Sequence, residues 1–158
     1  LCYENKYRIK IFGNSHWPVP QYCGFTTNEM TKHALASATI CPNLSEPHSQ
    51  VFGFDIIERP FKLLSNRCFV VSDYVECLAK ILPMAIPFAK SPEEFKELID
   101  HFLTNAMDRI IYMDQGYQAV MSHHTYFHRA AQIFAKLNLS KQAQECNEVY
   151  KRIRASLA

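Results

Sequence analysis

The sequence predicts an α/β protein, in which a parallel sheet is covered on both faces by helices and followed by a helical C-terminal tail. Three observations support this. Short apolar runs alternate with amphipathic stretches, as in chains that alternate strands and helices. Residues 68–71 (CFVV) form a continuous apolar run, which is typical of a strand buried on both faces of a parallel sheet. From Ser91 onward, apolar residues recur at helical spacing.

Composition excludes several classes of protein. Of the 158 residues, 48% are hydrophobic and 20% charged, the balance of a folded chain rather than a disordered one. The formal net charge is only +2, which argues against nucleic acid as the partner. No apolar run reaches the ~18 residues that a membrane span needs, and the first ten residues mix charges throughout, unlike a secretory signal. We therefore expect a cytoplasmic protein with no membrane span.

Cysteine and histidine residues do not form a metal-binding pattern. None of the six cysteines belongs to a C-x-x-C motif, which argues against a zinc ribbon. Cys41 and Cys68 lie in apolar runs and are expected to be buried, reduced thiols, with a disulfide framework as the alternative. The one tight histidine group, His123, His124 and His128, has no acidic ligand nearby in sequence, so no metal site is predicted.

The first elements are predicted from alternation and capping. Apolar and basic residues alternate over residues 7–12, which predicts a strand, and residues 14–23 form a proline-containing loop. Thr26 and Glu29 have capping-box spacing and predict the start of a helix. A short strand is expected over residues 39–44.

Residues 45–88 are predicted to contain a loop, a helix, a buried strand, a short helix or turn, and a second, weaker strand. Pro60 fits only the first turn of a helix, so a helix is expected to begin near Glu58 or Arg59. The other predictions are a polar loop at residues 45–55, a strand at 68–71, a short helix or turn at 74–82 and a poor strand at 86–88.

Helices are predicted for the last third of the chain. Ser91 is a good cap, Pro92 suits the first helical position, and Glu93 and Glu94 occupy the first turn. Further helices are expected over residues 107–121, 126–137 and 140 to the end.

Ligands of parallel sheets bind at the carboxyl ends of the strands. That rule selects residues 13–17, residues 43–55 with the helix that follows them, and residues 72–76. A helix start favours an anion, and Arg59 and Lys62 are three residues apart, so both could meet a phosphate. The alternative is that both are solvated surface charges. Glu58 could hold ribose hydroxyls or simply counter the helix dipole, and His48 could contact a diphosphate or transfer a proton.

Three segments resemble the C-terminal half of GT-B glycosyltransferases, in the broad group of glycosyl transferases group 1 that includes the spore-maturation type. The first comprises residues 23–30 (CGFTTNEM) and 36–44 (ASATICPNL). The second is residues 54–73 (FDIIERPFKLLSNRCFVVSD), and the third is residues 124–129 (HTYFHR). They occur in the family's order.

The resemblance implies a Rossmann-like domain that binds a nucleotide-sugar donor, commonly a UDP- or GDP-sugar, with no obligatory metal or other cofactor. The acceptor site and catalytic base would belong mainly to an N-terminal domain, so no catalytic residue is assigned here. The loop containing Trp17 and Phe25 would flank the base. Candidate donor-binding residues are Asn43, Ser45, Glu46, His48, Ser49, Gly53, Asp55, Glu58, Arg59 and Lys62.

Two positions depart from the family pattern. Lys62 stands where the family often has Glu, and residues 66–68 (NRC) replace small residues that include glycine, which puts a tight turn in doubt. The alternative function is therefore a degenerate, non-catalytic module that mediates protein interaction. Because the chain begins with Leu1 and only a few residues precede the first predicted strand, we expect a fragment that lacks the N-terminal domain.

Two regions are predicted. Residues 1–137 would form the nucleotide-sugar-binding domain. Residues 138–158 would form a C-terminal helix that packs on this domain or on the missing one.

Overall fold

The computed structural model describes residues 7–156 and confirms the α/β class with a helical C-terminal region. Three short strands are followed by a run of long helices. The elements are α1 (Asn28–Ser37), β1 (Cys41–Asn43), α2 (Pro47–Phe52), α3 (Arg59–Ser65), β2 (Val70–Asp73), α4 (Glu76–Ile81), β3 (Phe88–Ala89), α5 (Pro92–Thr104), α6 (Ala106–His123), α7 (Tyr126–Lys136) and α8 (Ser140–Ser156).

The strands form a parallel sheet in the order β1-β2-β3. Cys41 is paired with Val70, and Ser72 with Phe88, so β2 is the central strand. Val70 and Val71 are almost completely buried, which confirms the prediction of a strand covered on both faces. All three strands therefore present their carboxyl ends at one edge of the sheet.

The two faces of β2 belong to two separate apolar clusters, because successive strand residues point in opposite directions. Val70 packs with residues of α3, α4 and α6, including Leu64 and Val120. Phe69 and Val71 pack with Phe102 of α5. The sheet is thus sandwiched between helices, as an α/β fold requires.

Helix starts follow the predicted caps in two cases out of three. Ser91 Oγ accepts a hydrogen bond from the Glu94 amide at 3.1 Å, and α3 begins at Arg59 with Pro60 in its first turn. The predicted capping residue of α1 is wrong by one position. Thr27, rather than Thr26, accepts the bond from the Met30 amide at 3.2 Å.

The predicted strand at residues 7–12 is absent. Ile11 forms a single parallel bridge with Tyr22, supported by the bond from the Cys23 amide to the Ile11 carbonyl at 2.7 Å. The alternating pattern matches the burial of the side chains, which alternate between half-buried and exposed over residues 7–12. No neighbouring strand among the described residues pairs with this segment along its length. A ladder needs a partner over several residues, and here the partner pairs at one position only.

The predicted polar loop at residues 45–55 contains the short helix α2. Pro47 occupies its first turn, where its fixed φ suits a helix and its missing N–H is not needed. Gly53 ends the helix with φ 72°, a conformation that glycine adopts without steric cost. The prediction of an irregular loop was wrong because α2 is too short for a periodic apolar pattern.

The turn after α3 keeps a left-handed residue although no glycine is present. Arg67 has φ 54°, its amide donates to the Leu64 carbonyl at 3.0 Å, and the Cys68 amide donates to the Leu63 carbonyl at 3.1 Å. These two bonds form a Schellman motif. The tight turn questioned from the sequence is therefore present, with arginine in the position that favours glycine.

The C-terminal helices form a hairpin in which α8 packs along α7. Arg154 of α8 and Arg67 both approach the ring of Tyr117 on α6, at 5.9 and 3.9 Å from its centroid. Within residues 7–156, no helix combines the length and apolar content that crossing a membrane demands.

Candidate functional site

The candidate site begins with two fully buried polar side chains at the carboxyl edge of the sheet. Asn43 ends β1 and Ser72 lies opposite it on β2. The Asn43 amide nitrogen donates to Ser72 Oγ at 2.9 Å. Asn43 Oδ1 has no hydrogen-bond partner among the described residues. A buried amide oxygen that is left unpaired is costly, so this atom is suited to accept a bond from a ligand or water.

Asp73 holds the loop after β1 against β2. Its carboxylate accepts bonds from the Ser45 amide at 2.7 Å, the Ser45 hydroxyl at 2.8 Å and the Gln50 side-chain amide at 2.7 Å. The rule for parallel sheets selected the segments that contain both residues, 72–76 and 43–55, but neither Asp73 nor Gln50 was among the ten candidate donor-binding residues. Asp73 ends β2, and its bonds to Ser45 and Gln50 are tertiary contacts that the sequence does not indicate.

Helix α2 places three predicted residues in different environments. The Glu46 carbonyl accepts the Ser49 amide at 2.9 Å, while the Glu46 side chain is exposed. Ser49 is fully buried and its hydroxyl has no partner among residues 7–156. The Gly53 carbonyl accepts the Cys77 amide at 2.7 Å, and a Cβ on Gly53 would lie 3.3 Å from Glu76 Cβ. Gly53 therefore lets this segment approach α4 closely.

His48 and Asp55 pair with each other across the segment. His48 Nε2 lies 2.7 Å from Asp55 Oδ2, and about half of each side chain is exposed. The imidazole predicted to contact a diphosphate is therefore engaged by a carboxylate at the surface. This contact joins the beginning of α2 to the loop that leads into α3.

The start of α3 brings charged residues to the same edge. Arg59 donates to the Leu44 carbonyl at 3.1 Å, which orients its guanidinium over the exit of β1. Lys62 is exposed and makes no ion pair or side-chain hydrogen bond within the described residues. Helix α3 has seven residues, and Pro60 contributes no N–H, so it offers fewer amides than expected.

Glu58 contacts the beginning of α7 instead of capping its own helix. Its side chain makes no capping bond, and its carboxylate, close to the Tyr126 hydroxyl, raises the pKa of Tyr126. The second and third segments singled out in the sequence therefore meet at this point. Sequence reasoning gave no indication of that contact.

A narrow crevice lies behind these groups, and both polar and apolar residues line it. It is lined by Asn43, Ser45, Asp55, Ile56, Ile57, Pro60, Val75 and Leu78. Three of the ten predicted residues line it, and the other seven belong to α2, α3 or the residues that cap these helices.

The histidines near α7 make a local network. His124 Nδ1 lies 2.6 Å from Arg129 Nη2, and His128 completes a capping box with Thr125. Burial and the neighbouring Arg129 lower the pKa of His124, and burial and nearby positive charge lower that of His128. No group of three metal-ligating side chains occurs in the described part of the chain.

A family model described as glycosyl transferase-like matches residues 2–135, most of the chain. The chain belongs to the glycosyl transferase-like family. The resemblance predicted from three short segments is confirmed. No curated protein and no solved structure matches the chain.

The structure bears on the two departures that the resemblance indicated. The turn at residues 66–68 has a left-handed residue and both Schellman bonds, so a turn forms there without glycine. Lys62 is exposed on α3.

Proposed function

We propose that this chain is the donor-binding half of a glycosyltransferase. It would bind a nucleotide-sugar, a UDP- or GDP-sugar, and the sugar would pass to an acceptor held by an N-terminal domain. Catalytic side chains are not assigned to this chain. The free thiols of Cys23, Cys41, Cys68, Cys77 and Cys146 suit a reducing compartment, so we place the protein in the cytoplasm.

The observation that carries this proposal is that two of the three unpartnered buried side-chain oxygens in the described residues, Asn43 Oδ1 and Ser49 Oγ, lie within residues 43–49; the third is Tyr150 Oη on α8. Residues 43–49 run from the end of β1 into α2, at the edge where ligands of parallel sheets bind. Hydroxyl groups of a sugar or ribose would supply the missing hydrogen bonds.

Arg59 and Lys62 would supply the positive charge for the leaving diphosphate. Negative charge grows on the diphosphate as the bond to the sugar breaks, and fixed cations stabilise that charge without a metal. The Leu44 carbonyl already orients the Arg59 side chain, whereas the exposed Lys62 side chain would turn toward the ligand when it binds.

Glu58 would accept hydrogen bonds from ribose hydroxyls. Its present contact, the Tyr126 hydroxyl, shows the same chemistry, since a carboxylate accepts from a hydroxyl. Ribose binding would then exchange one hydroxyl partner for another. His48, Asp55 and the exposed Glu46 would line the outer side of the donor.

A thermal-shift series tests this function. UDP, GDP, ADP and CMP, with their common sugar conjugates, would be added to the full chain, because a ligand that binds only the folded state raises Tm. We expect a shift with one nucleotide, and a smaller shift for that nucleotide in Arg59→Ala. Lys141→Ala, an exposed cation on α8, is the matched control and should keep the wild-type shift.

Two outcomes would favour the alternative of a non-catalytic interaction module. One is the absence of any shift at millimolar nucleotide, both for this chain and for a longer parent. The other is an equal shift in Arg59→Ala and wild type, which would remove Arg59 from the donor site.

A further inference from the structure

The C-terminal helical hairpin differs in charge from the rest of the chain. Residues 124–156 contain six Lys and Arg against two Asp and Glu. Because the whole chain has 17 against 15, the other residues have eleven against thirteen. The hairpin is therefore basic and the remainder slightly acidic, an asymmetry that the overall net charge of +2 conceals.

The outer side of α7 has two of these six cations, Arg129 and Lys136, beside exposed apolar side chains. A shallow surface there is lined by Arg129, Gln132, Ile133, Lys136 and Leu137. Ile133 is 59% exposed and Leu137 62% exposed. At the beginning of the same helix, the Tyr126 ring is 74% exposed. We call Tyr126, Arg129, Ile133, Lys136 and Leu137 the α7 surface.

The opposite side of α7 already has partners. Ala131 is buried, Phe127 stacks near Tyr150 of α8 with ring centroids 6.1 Å apart, and His128 lies 4.7 Å from the same ring. The exposed apolar residues are thus additional to those that hold the hairpin together. Helix α7 therefore has two apolar faces, one packed against α8 and one exposed, although folding requires only the first.

We propose that the α7 surface rests on an anionic lipid surface. Basic side chains beside protruding aliphatic and tyrosine side chains are the composition of helices that lie in the membrane interface. Lys136, which is exposed, would meet lipid phosphate while Ile133 and Leu137 enter the acyl boundary, and Arg129, held by His124 and Gln132, would add positive charge beside them. The charge of the hairpin complements the negative potential of the cytoplasmic leaflet.

The α7 surface is open, and its apolar side chains are exposed beside the exposed cation Lys136. Exposed aliphatic and basic side chains next to each other suit the membrane interface, where the apolar groups enter the acyl boundary and the cation meets phosphate. This inference does not depend on nucleotide binding, because none of its residues is among the proposed donor ligands.

Vesicle flotation with the full chain tests the proposal. One set of vesicles contains phosphatidylcholine alone, and the other contains phosphatidylcholine with phosphatidylserine. We expect binding to the anionic vesicles only, weakened by added salt because the attraction is screened. Lys136→Glu should lower the vesicle partition coefficient by roughly ten- to thirty-fold at low salt.

Matched variants separate the surface from general charge and hydrophobicity. Ile133→Ser with Leu137→Ser should also reduce binding, whereas Lys32→Glu on α1 and Ile110→Ser on α6, both at exposed positions, should bind like wild type. Circular dichroism and Tm confirm that each variant folds. The proposal is overturned if wild type ignores anionic vesicles, if it binds both vesicles equally, or if the α7 variants bind like the controls. Binding to an acidic protein without binding to vesicles would overturn it as well.

Discussion

Arg67 occupies a backbone conformation that glycine adopts freely and that costs other residues about 1 kcal/mol. Its side chain offsets that cost, since it pairs with Asp114 at 3.2 Å and lies over the Tyr117 ring. The contacts of the Arg67 side chain thus offset the strain that glycine would not have at this position.

Substitution of Arg67 separates these two contributions. Arg67→Ala loses the contacts and keeps the strain, whereas Arg67→Gly loses the contacts and relieves the strain. We expect Arg67→Gly to be more stable than Arg67→Ala by about 1 kcal/mol in urea unfolding. Equal stability of the two variants would show that the left-handed conformation is not a source of strain.

His124 and His128 make stability depend on pH. Their lowered pKa values mean that the folded chain binds fewer protons than the unfolded chain near the ordinary histidine pKa of ~6.5. Stability should therefore rise with pH through this window and fall as pH drops below it.

The measurement is Tm as a function of pH for wild type and His124→Gln. We expect His124→Gln to lose less stability than wild type between neutral and mildly acidic pH. His33→Gln, an exposed histidine on α1, controls for removal of an imidazole. A His124→Gln curve parallel to that of wild type would contradict the assignment.

At the scale of elements, α3 and α6 approach closely because Gly116 has no side chain. A Cβ there would lie 2.5 Å from Leu64 Cδ2, closer than atoms can pack. Gly116→Ala should cost about 1–3 kcal/mol of stability, although alanine favours a helix by roughly 1 kcal/mol.

A double-mutant cycle checks that this cost comes from the contact. Leu64→Ala alone opens a cavity and should cost about 2–5 kcal/mol. Together with Gly116→Ala, the combined cost should be less than the sum of the two, since the new methyl group enters the vacated space. Additive costs would place the effect of Gly116 elsewhere.

Asp73 connects two elements, β2 and the segment that carries α2. Asp73→Ala removes the acceptor of three hydrogen bonds from residues 45–50 and of a longer one from the Ser72 hydroxyl, and it should cost roughly 1.5–3 kcal/mol. Hydrogen exchange should quicken in residues 45–52 and stay unchanged in α5. Ser45→Ala, which removes only the hydroxyl bond, should have a smaller effect in the same segment, and faster exchange throughout the chain would contradict this local role.

Prediction from sequence succeeded where local chemistry decides the outcome. Ser91 with Pro92 and the glutamates that follow specifies a helix start by itself, and the apolar run at residues 68–71 specifies a buried strand by itself. Prediction failed where the structure of a segment depends on contacts with residues distant in sequence. Residues 7–12 alternate like a strand but pair at Ile11 only, and α2 depends on Asp73, which lies far along the chain.

The candidate site shows the same division. The rule for parallel sheets selected residues 43–55, and Asn43, Ser45 and Asp55 of that segment line the crevice. The pairing of His48 with Asp55 and the approach of Tyr126 to Glu58 are tertiary contacts. Residue spacing in the sequence does not show which side chains are paired with each other in the folded protein.

At the scale of the whole molecule, the two proposed surfaces have different charges and chemistry. The carboxyl edge of the sheet offers unpartnered oxygens and one oriented arginine, whereas the α7 surface offers cations and apolar side chains. The contact between Glu58 and Tyr126 places the two next to each other. A donor site beside a lipid-facing helix would suit an acceptor at the membrane surface.

The central claim is that a nucleotide-sugar binds at the carboxyl edge of the sheet, and hydrogen exchange with and without the nucleotide tests it most directly. At saturating nucleotide, we predict slower exchange in residues 43–62 and unchanged exchange in α5 and α8. Protection confined to other parts of the chain, or no protection of residues 43–62 at saturation, would contradict the claim.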